Sequence, residues 1–211
     1  DDRRRASSLE SVESERHDWT AVGDPITAPN IAAWQRRALS PLRHVFWGPD
    51  NNGQTDGEKA DLPDEQSLVS PTLQVGAGPL VIAFQHRFAF EGGNWDGGVI
   101  EISTDGGATW TDVGTSVYNG TTNAFTTAPI GINRPAFVLR STGWPNFVPV
   151  SLDLGTAYAN QAVRLRFRIG ADESTGAPGW DIDDIDISGL TRHPFRAQVA
   201  ETGSCKVAQN H

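Results

Sequence analysis

"PLVIAFQHRFAFE", residues 79–91, decides the fold class. A period of two places Leu80, Ile82, Phe84, His86, Phe88 and Phe90 on one face. Val81, Ala83, Gln85, Arg87, Ala89 and Glu91 take the other, so the stretch predicts a strand with one buried face. "AVRLRFRIG", residues 162–170, repeats the pattern with Val163, Leu165, Phe167 and Ile169 inward and Arg164, Arg166 and Arg168 outward. That arginine row is expected to pair with carboxylates of neighbouring strands such as Asp153 or Glu101. His86, on the aromatic face, is expected to be a hydrogen-bonded, partly buried histidine rather than a catalytic one.

Working outward, strand-like pieces follow one another from His17: "DWTAVG", "AAWQRRALS", "HVFWG", "SLVSPTLQV", "GGVIEIS", "TWTDV", "PAFVLRS", "VPVSLDLG" and "GWDIDDIDIS". No segment carries a helical apolar stripe of ten residues. About ten short strands without alternating helices predict an all-β, two-sheet antiparallel sandwich. No repeat of 40 to 50 residues is present, which excludes a propeller. Residues 1–16, charged and poor in apolar side chains, are expected to be a flexible lead-in. Residues 17–192 form the sandwich, and residues 193–211 a C-terminal connector or tail.

"EISTDGGATW", residues 101–110, fits Ser-x-Asp-x-Gly-x-x-Trp and resembles the Asp-box hairpin of sialidase propellers. The pattern has a structural meaning without catalysis. Asp105 can accept backbone N–H groups of its own turn, and Gly106 and Gly107 allow positive φ. Ser103 can bond across the hairpin mouth, and Trp110 can fold its ring over the turn. A sialidase would need several such boxes and converging arginines; this chain has one box.

The 211 residues carry a net charge of −9, which argues against nucleic acid or an anionic membrane surface and favours a cation as partner. No apolar run approaches the roughly 18 residues of a membrane span. The chain starts at Asp1 and has no Met, as expected of a processed fragment. Its single cysteine, Cys205, forbids an internal disulfide. The histidines His17, His44, His86, His193 and His211 form no HExxH, and there is no Gly-x-Ser-x-Gly, P-loop or GxGxxG. No catalytic residue is assigned and the chain is expected not to be an enzyme. The catalytic alternative is a carboxylate-pair glycosidase or lyase.

Of 26 acids, six lie in residues 50–65 (Asp50, Asp56, Glu58, Asp61, Asp64, Glu65) and six in 172–186 (Asp172, Glu173, Asp181, Asp183, Asp184, Asp186). If the fold joins the two stretches, the carboxylates repel, raise one another's pKa, or capture a hard cation. In "GWDIDDIDIS", Ile182 is out of phase with Ile185 and Ile187, so a bulge is predicted near Asp183 and Asp184. A bend there can aim a carboxylate inward. The expected metal ligands, for a structural calcium, are Asp184 and Asp183 first, then Glu91, Asp96, Asp61 and Asp64. Trp95 and Trp144, in Gly/Pro-rich loops, are the candidate ligand-stacking residues, against a packing role.

The run "HRFAFEGGNWDGGVIEISTDGGATWTDV", followed by "VRLRFRIGAD" and "GWDIDDIDISG", resembles the MAM-like jelly-roll domains attached to secreted bacterial peptidases of the immune inhibitor A and fungalysin types, and the cleaved bacterial adhesins. The matching residues are Glu91, Asp96-Gly97-Gly98, Glu101-Ile102-Ser103, Asp105-Gly106-Gly107 with Trp110, Gly179-Trp180 and Ile182-Asp183-Asp184, over roughly residues 40–195. The resemblance implies a noncatalytic, secreted jelly-roll β-sandwich. It would act in adhesion or binding to a surface polysaccharide or protein, or stabilise neighbouring domains of its own polypeptide. It also implies a structural calcium, without locating its ligands. A carbohydrate-binding module is the alternative reading.

Overall fold

The computed structural model describes residues 6–23, 34–50 and 63–196, and every regular element among them is a strand. Two antiparallel sheets pack as a jelly-roll β-sandwich. The first runs Thr111–Asp112, Gly97–Ser103, Ala162–Ala171, Asp64–Val69, Thr20–Gly23, with Leu73–Gln74 added to Ala162–Ala171. The second runs Val148–Asp153, Val81–Ala89, Gly179–Ser188, Arg43–Gly48, Gln35–Ser40, with Leu9–Glu10 added to Gly179–Ser188. Two small ladders pair Ala6–Ser7 with Phe195–Arg196 and Gly120–Thr121 with Pro135–Ala136.

The period-two faces pack as the sequence predicts. Leu80, Ile82, Phe84, His86, Phe88 and Phe90 are all buried and meet Val163, Leu165, Phe167 and Ile169 of the opposite sheet. Trp180, wholly buried, sits at the centre, with ring centroids of Phe137 at 5.3 Å, Phe167 at 5.6 Å and Trp34 at 5.8 Å. Gly98 makes room for it: a Cβ there would stand 2.6 Å from the indole.

Trp180 Nε1 donates to His86 Nδ1 at 3.2 Å, which requires an unprotonated Nδ1. Burial pushes His86 down from 6.5 to about 4. The depressed pKa fixes the sign of its linkage to stability. The contribution is complete above pH 6.5 and is lost as pH falls towards about 4, because the unfolded chain takes up the proton first. His86→Gln keeps an acceptor for Trp180 and cannot titrate. Urea unfolding at neutral pH and near pH 4 is expected to show about 3 kcal/mol less acid-induced loss in the variant than in the parent. Equal losses would remove His86 from the acid response.

On the outer face of the first sheet, two members of the arginine row, Arg166 and Arg168, find carboxylates. Glu101, although 3% exposed, accepts from Arg166 at 2.5 Å and from Arg134 at 2.6 Å, with Arg168 at 3.5 Å. Arg168 also clasps Glu65 with two bonds of 2.8 Å. Asp153 is not a partner. It ends the edge strand of the other sheet, where its carboxylate accepts the Gly155 N–H. The 101–110 hairpin closes as its residue types require. Ser103 Oγ donates to Asp105 at 2.7 Å and accepts the Gly107 N–H at 2.8 Å, and Asp105 accepts Thr109 N–H at 2.9 Å and Thr109 Oγ1 at 2.6 Å. Trp110 is half-buried, packed against Gly107, with the Arg166 guanidinium 4.4 Å over its ring.

Two segments differ from expectation. Residues 6–16 are built into the sandwich: Leu9–Glu10 extends the second sheet, and Val12 is fully buried with its carbonyl held by Arg36 at 2.7 Å. One buried valine and a strand partner outweigh the polar composition. Phe195, assigned to the tail, is buried and stacks on Trp19. Asp64 opens the Asp64–Val69 strand.

Candidate metal centre

Antiparallel register gathers one end of the molecule. Gly48 pairs with Trp180 and Ala89 with Gly179, so the exits of Arg43–Gly48 and Val81–Ala89 lie beside the entry of Gly179–Ser188. In the other sheet Gly170 pairs with Gly97, and Ala171 with Asp64. The residues just beyond these ends are Asp50, Glu91, Asp96 and Asp172. Close approach is possible because Gly179 has no side chain: it holds φ at +86°, and a Cβ would stand 2.2 Å from the Gly48 carbonyl oxygen.

One carboxylate oxygen from each of Glu91, Asp96 and Asp172 lies within 4.8 Å of the others. Two oxygens each about 2.4 Å from a shared calcium are separated by at most about 4.8 Å. Asp50 and Asp96 are fully buried, Asp172 is 7% exposed, and Glu91 is half-buried. Backbone amides hold the set: Asp172 N–H donates to Asp96 Oδ1 at 2.7 Å, Glu91 N–H to Asp50 Oδ2 at 3.2 Å, and Ser174 N–H to Asp172 Oδ1 at 2.8 Å. Three buried oxygens, Asp50 Oδ1, Asp96 Oδ2 and Glu91 Oε2, meet no donor from other residues, and the Asp50 and Asp96 carboxyls lie within hydrogen-bond reach of each other, where a shared proton or a cation would satisfy both. Among the described residues none of the four acids has a salt bridge to a base.

Electrostatics follow from this crowding. Burial, then the charge of Asp96, pushes Asp50 well above the ordinary carboxylate range. Burial pushes Asp96 up to about 8, against the Asp172 amide that favours its charge. Burial also raises Glu91 and Asp172, and the Asp172 charge adds to the effect on Glu91. Buried carboxylates in contact need either a proton or a cation. An all-oxygen donor set suits a hard divalent ion, calcium in particular.

The expected ligands divide. Glu91 and Asp96 stand in the cluster. Asp64 is buried at the same end, linked by Gln66, whose Nε2 donates to Asp64 at 3.0 Å and to the Pro49 carbonyl at 2.8 Å. Asp61 lies outside the described residues. Asp183 and Asp184, the first choices, are not brought to the cluster. The predicted bulge is present as a register shift between Asp183 and Asp186, with Asp184 at φ +49°. It leaves Asp183 paired with Arg43 at 3.0 Å and Asp184 exposed. Nearby Asp181 is likewise held by Arg37 at 2.8 Å and Arg87 at 2.7 Å. The sequence reading did not choose Asp50 and Asp172 as ligands. Their signal was positional, an acid just past the end of a strong strand, and it becomes legible only once the register is known.

Trp95, half-buried, lies against Gly93, and Trp144, half-buried, has Arg87 5.6 Å from its ring.

No family model matches the chain. Bacillopeptidase F of Bacillus subtilis (strain 168) is 24% identical over 166 residues, which is 79% of this chain and 9% of that protein. Among solved structures, the K3 cleaved adhesin domain of Lys-gingipain from Porphyromonas gingivalis W83 is similar with a TM-score of 0.45 at 11% identity, over 81% of this chain and 91% of that one. The K1 cleaved adhesin domain of the same protein gives 0.44 at 13%, over 86% and 96%. A xylan-binding domain from CBM 22 gives 0.42 at 12%, over 95% and 100%.

Proposed function

We propose that this chain is a noncatalytic accessory β-sandwich of a secreted bacterial protein, of the MAM-like type that accompanies peptidases, locked by one structural calcium. Its role is binding or adhesion, or stabilisation of neighbouring domains of the same polypeptide. The observation that carries the reading is the set of buried carboxylate oxygens of Asp50, Asp96 and Glu91 that meet no donor from other residues, at the meeting point of both sheets. Asp50 and Glu91 follow strands of the second sheet, while Asp96 and Asp172 flank strands of the first, so one ion there would cross-link the layers. A catalytic carboxylate pair needs access to substrate. Here the cluster's aspartates are closed off from solvent, which favours a structural role.

Calorimetric titration of metal-stripped protein is the test. We expect one calcium site, weaker binding of magnesium, which dehydrates reluctantly, and loss of the calcium heat in Asp172→Asn. Titrations indistinguishable from buffer would refute the site.

A further inference from the structure

The outer face of the first sheet carries a groove of about 450 Å³ that the cation site does not use. Its floor is Val69 and Ser67. They alternate with core-facing Leu68 and stand opposite the outward Arg166 and Arg168, yet they are only 7% and 4% exposed. Val22 and the half-buried Trp110 continue the apolar strip, and Arg164 and Glu65 line its sides. The volume falls in the range of about 300–1,000 Å³ typical of small-ligand sites.

The charges of this face do not close. Arg134, Arg166 and Arg168 share the three carboxylates Glu65, Glu101 and Asp112. Arg164 is left over: it makes no ion pair among the described residues, its Nε is buried without a partner, and its one hydrogen bond is a long 3.4 Å to the Gly106 carbonyl. The oxygens of Asp105 in the adjacent turn already accept from Ser103 and Thr109. An unneutralised guanidinium therefore stands beside an indole and a valine floor, in a chain of net charge −9.

We propose that this groove binds an acidic glycan, taking the carboxylate of a uronic acid unit on Arg164 and the apolar face of the sugar ring on Trp110, Val69 and Val22. A planar guanidinium matches a carboxylate with two parallel bonds, and a pyranose offers one C–H face with hydroxyls at its rim. Ser67 and Glu65 stand where those hydroxyls would reach. An acidic peptide would satisfy Arg164 but makes no comparable use of a flat strip bordered by hydroxyl partners. The proposal deepens the binding role above by naming its ligand class, and it stands independently of the calcium site.

The test is calorimetry of the full chain at fixed calcium concentration with trigalacturonate, its methyl ester, and a hexa-aspartate peptide. We expect trigalacturonate to bind and the neutral ester to bind about tenfold more weakly, the cost of one charge-assisted bond pair. Arg164→Gln is expected to remove the distinction between acid and ester while melting like the parent, since it gives up no ion pair among the described residues and only one long hydrogen bond. Trp110→Phe is expected to weaken both ligands. Equal binding of acid and ester by the parent, no binding of either, unchanged binding by Arg164→Gln, or tighter binding of the peptide would each overturn the proposal. Failure here with an intact calcium titration would leave the structural reading standing.

Discussion

Chelation near neutral pH is expected to lower the melting temperature by roughly 5–10 °C relative to calcium-saturated protein, and Asp96→Asn is expected to invert the comparison between parent and variant. An ion at about a hundred times its dissociation constant adds about 2.7 kcal/mol, and a chain of this size shifts by about 2–4 °C per kcal/mol. The inversion follows from the geometry. Asparagine still presents an oxygen to the Asp172 N–H, now at 2.7 Å from Asp96 Oδ1. Its amide N–H₂ adds a donor within hydrogen-bond reach of the Asp50 carboxyl. Under chelation the variant therefore relieves carboxylate repulsion and is expected to melt at or above the parent. In calcium it lacks a charged ligand and is expected to melt below it.

Proton linkage gives the same experiment a second readout. Asp96 is raised from 3.8 to about 8, so in metal-free protein its contribution is complete below pH 3.8 and is lost as pH rises towards 8. Metal-free parent should weaken across that window, and Asp96→Asn should weaken less. His86 slopes the opposite way between pH 6.5 and 4, so the difference between parent and variant is the quantity to follow. Identical melting of the parent in calcium and in chelator would leave the buried oxygens satisfied by protons alone.

The fold was legible because its strongest strands are half-buried and alternate. Leu80 to Phe90 and Val163 to Ile169 declare a core face without reference to anything distant. The bulge at Asp183 was legible for the same reason: Ile182, Ile185 and Ile187 are all fully buried, and only a register shift allows that. The ligand set was half legible. Glu91 and Asp96 flank a glycine-rich turn between two strong strands, but acid density also pointed to Asp183 and Asp184, whose fate depended on Arg43, 140 residues away in the chain. Local composition counts charges; it does not say which meet a guanidinium from another strand. The 6–16 segment differed for a similar reason, because Val12 is buried in a core built by distant strands and Leu9–Glu10 pairs with Gly179–Ser188.

Glu101→Gln is expected to cost about 3–5 kcal/mol in urea unfolding, although it changes one atom on the outer face of a sheet. Its side chain is 4% exposed and its partners Arg134, Arg166 and Arg168 are 21%, 15% and 12% exposed, so the screening that weakens surface pairs is largely absent. Burial alone would raise the Glu101 pKa; the hydrogen bond from Arg134 and the charges of Arg166 and Arg168 outweigh it and hold the group below its ordinary 4.5. Its contribution is therefore present above pH 4.5 and is lost as pH falls through that lower folded value. Glutamine keeps the shape but leaves three guanidiniums around a neutral amide. The penalty is then repulsion and unmet desolvation more than a lost contact, and the double variant Glu101→Gln with Arg166→Met should recover part of it. A single-variant loss under about 0.5 kcal/mol would place Glu101 among ordinary surface pairs. Additive losses in the double variant would show that the arginines do not repel one another across this site. Calcium titrations of both variants should match the parent, which would separate the charge lock on the sheet face from the proposed cation site at the end of the sandwich.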